Sequence, residues 1–173
     1  VGRLQSLYEE ALACEGVVGL AVGTRPDCLD GAKIDLLASL AERCYVQLEL
    51  GLQSARDDTL RRVNRGHTLD CFLKAMECCA GKGFDICGHM ITGLPGEERA
   101  DALHTAHVMA DAGITGIKVH NLHLVRGAAL TEEHERNPFA LLSMEEHVRV
   151  VCDILERLPW RITIQRLWGT APA

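Results

Sequence analysis

The residues best suited to chemistry lie on one strand pattern near the middle of the chain. Gln47, Glu49 and Gln53 occupy alternate positions, and apolar residues fill most positions between them. Successive side chains of a β-strand point to opposite faces, so one face is apolar and the other carries two amides and a carboxylate. Unpaired buried polar groups are costly, and the polar face must therefore meet water or a ligand. The pattern predicts a ligand site, with Glu49 as a candidate acid or base.

The rest of the chain predicts a parallel sheet that positions this strand. Apolar runs predict five strands, over residues 17–22, 44–52, 84–92, 114–124 and 161–167. Amphipathic patterns predict helices near 4–12, 31–43, 55–64, 68–80, 98–112 and 143–158, and residues 126–142 are expected to be irregular. Strands that alternate with helices form parallel sheets with right-handed crossovers. In a barrel of such units, polar residues near the carboxyl ends of strands usually belong to the site.

Length and composition narrow the fold and the function class. The chain has 173 residues, whereas a complete eight-unit barrel takes about 250. We therefore expect an α/β fold, a partial (β/α) barrel of parallel strands forming one domain over 1–173, with an extension from about residue 126. The helical pattern that begins at Val1 predicts N-terminal truncation. The net charge of −6 argues against a broad nucleic-acid-binding face, which needs a basic surface.

The eight cysteines do not show the spacing of a metal site. No Cys-x-x-Cys occurs, and neither a signal peptide nor a long apolar run is evident. We expect reduced cysteines in a cytoplasmic protein that does not bind membranes, most of them packed as small hydrophobic residues. His104 and His107, and His120 and His123, are expected to be exposed to solvent rather than to bind zinc.

Four segments, each at the predicted carboxyl end of a strand, resemble those of the radical S-adenosylmethionine (radical SAM) enzymes. The resemblance is to the branch that includes oxygen-independent coproporphyrinogen oxidase and elongator-like catalytic subunits, and to a group of uncharacterised bacterial radical SAM proteins. The segments are Gly23-Thr24-Arg25-Pro26-Asp27, Glu49-Leu50-Gly51-Leu52-Gln53-Ser54 with Asn64-Arg65-Gly66-His67, Ile91-Thr92-Gly93-Leu94-Pro95-Gly96-Glu97, and Lys118-Val119-His120-Asn121-Leu122-His123.

This resemblance implies a cofactor and a reaction. Members of the family bind S-adenosylmethionine (SAM) beside a [4Fe-4S] cluster held by three cysteines, and they generate a 5'-deoxyadenosyl radical. By position, Gln53 corresponds to a ribose ligand and Arg65 to the partner of the methionine carboxylate. Glu49 would meet the ribose or the methionine amine. His89 stands where relatives often carry an acidic residue that helps to hold the cofactor.

The resemblance also implies an adenine site. The turn that begins at Gly93 would let the backbone approach the adenine, since glycine tolerates close approach and unusual dihedral angles. The main chain from Val119 through Asn121 to Leu122 would contact the adenine edge.

The chain departs from the family in lacking the Cys-x3-Cys-x2-Cys motif. Its first strand resembles the third of the family, so the first two βα units and all three cluster ligands are expected to be absent. We therefore assign no catalytic residue and no metal ligand within this chain. The full-length parent is expected to be an enzyme, and the 173-residue chain alone is expected to be inactive.

Two other interpretations stay open. One is a different parallel-barrel enzyme, such as an aldolase-type lyase with Glu49 as acid or base, which needs a lysine or metal ligands inside the barrel. Lys118 is the only strand lysine, and it is predicted to point away from a polar face set by Asn121. The other is a non-catalytic remnant that self-associates through a missing strand edge. The substrate is not predicted; family members act on porphyrins, transfer RNA and peptides, and the acidic charge disfavours transfer RNA.

Overall fold

Five parallel strands form a single sheet in the order β1-β2-β3-β4-β5, with helices between them. The computed structural model describes residues 1–169, so the last four residues of the predicted domain lie outside the described part. The elements are α1 (Gly2–Leu12), β1 (Gly19–Thr24), a 3-10 helix (Pro26–Cys28), α2 (Gly31–Ala41), β2 (Tyr45–Gln53), α3 (Asp57–Arg62), α4 (Leu69–Cys79), β3 (Asp85–Thr92), α5 (Arg99–Asp111), β4 (Gly116–Asn121), α6 (Ala129–Arg136), α7 (Met144–Arg157) and β5 (Thr163–Arg166). The predicted α/β class and partial parallel barrel are confirmed.

Helix starts follow the capping residues. The Thr68 hydroxyl accepts from the backbone N–H of Cys71 at the start of α4, and Ser143 and Glu146 form a reciprocal capping box at the start of α7. Such caps satisfy backbone donors that have no partner inside the helix. The polar sequence therefore fixes where these two helices begin.

The core lies between the sheet and the helices outside it. Leu48, Leu50, Ile117 and Val119 are fully buried on that side, together with Phe72 of α4. Few aromatic residues are present, and the core is aliphatic as predicted. The opposite side of β2, β3 and β4 carries polar residues and faces the inside of the partial barrel.

Three predictions about local structure are wrong. Strand β1 begins at Gly19 rather than Val17, because Val17 donates its backbone N–H to Cys14 in the preceding turn. Residues 126–142 contain a helix, α6, none of whose residues is buried. Four of the eight cysteines are exposed and only two are buried, so most are not small core residues; all eight are free thiols.

The described residues, 1–169, include no helix with the length and apolar character needed to cross a membrane.

Candidate functional site

Gln53 and Arg65 converge over Gly51 at the carboxyl end of β2. A Cβ atom added at Gly51 would lie 2.6 Å from Gln53 Nε2 and 2.5 Å from Arg65 Nη2. Arg65 Nη2 also donates to the Gly51 carbonyl oxygen, at 3.2 Å. The absence of a side chain at Gly51 therefore provides the space in which the amide and the guanidinium meet.

Local backbone geometry brings these two side chains together. Gln53 has φ of 74°, in the left-handed region that costs a non-glycine residue about 1–3 kcal/mol. Asn64 also has a positive φ, 51°, and it reverses the chain after α3. Arg65 then donates its backbone N–H to the Leu60 carbonyl oxygen, at 2.9 Å. Two strained residues thus turn the chain away from β2 and return it to the end of the same strand.

The Arg65 guanidinium has no carboxylate partner at ion-pair distance within residues 1–169. Its Nε atom donates to His67 Nε2 at 3.1 Å. The nearby Asp27 carboxylate is occupied by Arg25, 2.5 Å away. Burial, with the neighbouring Arg25, lowers the pKa of Arg65. A half-buried guanidinium with no carboxylate at ion-pair distance in the described residues is suited to bind the anionic group of a ligand.

Glu49 lies two residues before Gly51 on β2, and its side chain is on the same face of the strand. Its Oε1 accepts from Lys118 Nζ at 2.5 Å, and its Oε2 lies 3.2 Å from His89 Nε2 without hydrogen-bond alignment. Burial opposes ionisation of Glu49, but the Lys118 ammonium outweighs it and the pKa of Glu49 is lowered. Glu49 is therefore a carboxylate at neutral pH.

The prediction that Lys118 points away from the polar face is wrong. Lys118 lies on the same face as Glu49, whereas Asn121 lies on the other, because residues three apart on a strand face opposite sides. The Asn121 carboxamide accepts from the backbone N–H of Gly169, at 3.1 Å. The prediction took Asn121 as the residue that marks the polar face of β4. Lys118 and His120 mark that face instead.

His89 is a neutral imidazole beside the Glu49–Lys118 pair. Burial lowers the pKa of His89 to about 4, with Glu49 opposing the shift. The His120 ring lies 5.5 Å away, centroid to centroid. Burial also lowers the pKa of His120. The expectation of solvent-exposed histidines holds for His104 and His107 but is wrong for His120 and His123, which are half-buried.

The remaining predicted site residues lie nearer β4 and β5. Gly93 has φ of 78°, and a Cβ atom there would lie 3.1 Å from Leu142 Cγ. Gly93 and Asn121 line one cavity of about 120 Å³, which Leu142 and Trp168 also line. The Val119 side chain is fully buried in the core, so only its main chain could meet a ligand. The structure thus places two groups of predicted residues, one around Gly51 and one around this cavity.

Two buried hydrogen-bond networks were not predicted from the sequence. The Ser54 hydroxyl donates to Glu97, and Ser54 is completely buried. His147, also buried, has Nδ1 at 2.9 Å from Thr92 Oγ1 and Nε2 at 3.0 Å from the Leu167 carbonyl oxygen. The Ser54–Glu97 and Thr92–His147 hydrogen bonds each join residues more than forty positions apart, and no periodic pattern signals such pairs.

No group of three or more His, Cys, Asp or Glu residues in the described part of the chain is arranged to hold a metal ion. The cysteines are spread over helices, strands and turns, and the two buried thiols have a raised pKa of about 11, caused by burial. These residues do not fit the ligand set of an iron–sulfur cluster, for which thiolates converge.

Two family models match this chain over most of its length. Residues 3–109 match the family model of the Radical SAM superfamily, and residues 114–173 match the model of the Radical SAM C-terminal domain. The chain is 38% identical over 169 residues to Uncharacterized protein YtqA of Bacillus subtilis, covering 98% of this chain and 52% of that protein. It spans about half the length of the curated relatives it matches.

Two solved structures have a similar fold. The Elp3 protein of the archaeon Methanocaldococcus infernus superposes with a TM-score of 0.80 at 23% identity, over 90% of this chain and 36% of that one. The coproporphyrinogen III oxidase HemN of Escherichia coli, described as a radical SAM enzyme, gives 0.69 at 17% identity, over 90% and 35%. At these identities the similarity establishes the fold.

Proposed function

This chain belongs to the radical SAM superfamily, and we propose that the complete protein is an enzyme that binds SAM across the carboxyl ends of β2, β3 and β4. The observation that carries the proposal is the convergence of Gln53 and Arg65 over Gly51, with the Arg65 charge lacking a carboxylate partner in residues 1–169. This arrangement offers a cation and an amide to one small polar ligand.

Each polar residue has a role that matches its chemistry. Arg65 binds the methionine carboxylate, because a planar guanidinium forms charge-assisted hydrogen bonds with carboxylates. Gln53 binds the ribose hydroxyls, since its amide both donates and accepts. Glu49 stays ionised, and its Oε2 accepts from the methionine ammonium or a ribose hydroxyl. His89, neutral at physiological pH, serves as an uncharged neighbour of that oxygen.

The adenine lies toward the cavity that Gly93 and Asn121 line. Gly93 has a positive φ, a conformation that L side chains rarely adopt, and its lack of a side chain lets a ligand approach the backbone closely. Val119, Asn121 and Leu122 contribute main-chain groups, and the Leu122 N–H is already paired with the Thr92 carbonyl oxygen at 3.0 Å. Leu142 provides an apolar contact at this place.

In the family, a [4Fe-4S] cluster supplies the electron that cleaves SAM to the 5'-deoxyadenosyl radical. The described residues of this chain do not fit that cluster, so no reaction step is assigned to them. We propose that the chain alone is catalytically inactive and that the cluster ligands belong to the part of the protein that the relatives possess beyond the matched region. Anaerobic reconstitution with iron and sulfide tests this: the chain is expected to gain no absorbance of a stoichiometric cluster.

An aldolase-type lyase is the second candidate, because Lys118 lies inside the barrel beside Glu49. A lysine nucleophile must be neutral to attack a carbonyl carbon, and it is usually activated by burial or by a second cation. Lys118 is instead engaged in an ion pair with Glu49, whose Oε1 atom lies 2.5 Å from Nζ. The contact therefore favours a structural and electrostatic role for Lys118 over a covalent one.

Equilibrium binding of SAM to this chain, measured by isothermal titration calorimetry, tests the proposed site. Arg65→Met removes the guanidinium and keeps most of the apolar stem, and it is expected to weaken binding at least roughly tenfold, as for loss of a charged hydrogen bond. Arg61→Met is the matched control, since Arg61 pairs with Asp58 on the exposed surface of α3. Equal affinities of the two variants would contradict the assignment of Arg65.

Self-association through the edge strand β1 stays a prediction. Within residues 1–169, β1 has a neighbouring strand, β2, on one side only, so backbone groups on its other edge are not paired with a strand. Sedimentation of the chain over a range of concentrations tests it, and a monomer at every concentration would refute it.

A further inference from the structure

The Ser54 hydroxyl, which is buried, and the Glu97 carboxylate, which is partly buried, join the turn after β2 to the turn after β3. Ser54 directly follows Gln53, and its side chain is completely buried. Its hydroxyl oxygen accepts from the backbone N–H of Arg56 at 3.0 Å and donates its proton to Glu97 Oε1. Both hydrogen-bonding capacities of the hydroxyl are therefore used to fix the backbone next to Gln53.

Further contacts join the same two turns. The Arg56 guanidinium donates to the Gly96 carbonyl oxygen at 3.3 Å and to Asp101 Oδ2 at 3.1 Å. The backbone N–H of Ala55 donates to Thr105 Oγ1 at 3.0 Å. These bonds anchor residues 54–56 to the beginning of α5, so the loop that carries Gln53 has little freedom of its own.

Glu97 is an uncommon choice for a merely structural residue. Its Oε2 atom is buried and accepts no well-aligned hydrogen bond within the described residues, although the Thr59 hydroxyl lies close enough to favour the ionised form. Burial raises the pKa of Glu97, and the hydroxyls of Ser54 and Thr59 oppose that shift. Burial of a carboxyl group whose hydrogen bonds are incomplete is unfavourable for folding.

We propose that Glu97 is a positioning residue for the SAM pocket, which holds Gln53 in its left-handed conformation through Ser54 and moves the turns after β2 and β3 as one unit. The inference rests on the proposed role of Gln53 in binding the ribose. A left-handed glutamine needs its surroundings to fix it, because the conformation is unfavourable by itself. The Ser54–Glu97 hydrogen bond restrains the residue that directly follows Gln53 and therefore restrains the Gln53 backbone.

The first test needs no ligand. Chemical shifts of the Gln53 backbone, measured by nuclear magnetic resonance, report its φ angle in the wild type and in variants. Glu97→Ala and Ser54→Ala are each expected to move Gln53 out of the left-handed region. Glu97→Gln keeps an oxygen that accepts from Ser54, and it is expected to preserve the wild-type shifts. Glu77→Ala, which changes an exposed carboxylate on α4, is the control.

The second test separates positioning from general destabilisation. SAM affinity is expected to fall roughly two- to tenfold in Glu97→Ala, the range of one ordinary hydrogen bond, and to be unchanged in Glu97→Gln. The double variant Gln53→Ala/Glu97→Ala is expected to bind no more weakly than Gln53→Ala, since both act through the same amide. Additive losses would overturn the proposal, as would unchanged Gln53 shifts in the folded Ser54→Ala variant.

The two tests distinguish this inference from the proposed function. If the wild-type chain does not bind SAM, the proposed site fails, while the Gln53 shifts still decide whether Glu97 fixes the loop. If Glu97→Ala does not fold, Ser54→Ala removes the same bond from the other side with loss of a single oxygen atom.

Discussion

Lys118 on β4 reaches across β3 and places its Nζ atom 2.5 Å from Oε1 of Glu49 on β2. The strand register pairs Cys87 of β3 with Glu49 on one side and with Gly116 on the other, whereas Lys118 is paired with His89. Cys87 is fully buried, and burial raises the pKa of its thiol to about 11. A small uncharged side chain at this position leaves room for the ion pair to bridge three strands on the inner face.

Lys118→Met is therefore expected to destabilise the chain by about 2 kcal/mol at neutral pH, as for loss of a hydrogen bond between charged groups. Without the ammonium, the partly buried Glu49 carboxylate loses its ion-pair partner. The folded-state pKa of Glu49 is lowered, so the pair contributes stability above the ordinary value of 4.5 and loses it as the pH falls through the folded-state pKa. The deficit of the variant should shrink on acidification, measured by urea unfolding across that pH range.

The control for Lys118→Met is the double variant Glu49→Gln/Lys118→Met. It removes both charges, so it is expected to be more stable at neutral pH than Lys118→Met alone. A Lys118→Met deficit that stays constant with pH, or that grows toward acid pH, would show that the ion pair is not its cause.

The sequence predicted the strands because their signals are local. Alternation along β2 correctly separated Glu49 and Gln53 from the leucines of the apolar face, and the alternation of strands and helices correctly predicted a parallel sheet of five strands. The predicted direction of the Lys118 side chain was wrong. Alternation shows which residues of a strand share a face, but one residue must be placed correctly before that face can be identified as inner or outer. Asn121, at the last position of β4, bonds to Gly169 instead of facing the barrel.

The contacts that hold the site in place could not be predicted from local patterns. Ser54 and Glu97 belong to different turns and meet only when β2 and β3 pair. The same is true of Thr92 and His147, which lie on β3 and α7. Their residue types are common in turns and on helix surfaces, so only the tertiary fold shows that they are buried and paired.

Gly51→Ala is expected to abolish the approach of Gln53 and Arg65. The new Cβ atom would lie 2.5 Å from Arg65 Nη2 and 2.6 Å from Gln53 Nε2, closer than any real contact, and both side-chain ends must move. Since the clash involves only the ends of flexible side chains, we expect SAM affinity to fall much more than the free energy of unfolding. Calorimetric titration with SAM and urea unfolding of the same preparation measure the two effects.

Gly23→Ala is the matched control, because Gly23 pairs with Glu49 on the neighbouring strand and a Cβ atom there would meet nothing within 4 Å. It should leave SAM binding unchanged. If both alanine variants lose affinity equally, the space over Gly51 is not what brings the amide and the guanidinium together.

His147→Leu is expected to loosen the segment after β5. His147 connects Thr92 to the Leu167 carbonyl oxygen, and its ring packs edge-on against Trp168 with centroids 5.7 Å apart. Fluorescence measures the effect in a Trp160→Phe background, which removes the other tryptophan, itself 98% exposed. Emission of Trp168 should shift to longer wavelength and be quenched more by acrylamide. Thr163→Val, on the exposed part of β5, should cause no shift.

Arg62→Ala is expected to release helix α6 without unfolding the rest. Arg62 contacts Glu133 with Nη2 at 2.7 Å and its guanidinium lies 5.6 Å from the centre of the Phe139 ring, so a single side chain of α3 holds both α6 and the following loop. Because none of the residues of α6 is buried, little else secures it. The pair is more than a third exposed, and its loss should lower the free energy of unfolding by less than about 1 kcal/mol.

Limited proteolysis detects this release, since it reports local opening that global unfolding does not. Cleavage within residues 126–142 should be faster in Arg62→Ala than in the wild type, whereas Arg61→Ala, which loses only a pair within α3, should be cleaved at the wild-type rate. Equal acceleration in both variants would mean that the charge of α3, and not the specific contact with Glu133 and Phe139, restrains this segment. Faster cleavage in Arg62→Ala alone would establish that a helix absent from the sequence pattern depends on one distant arginine for its place in the fold.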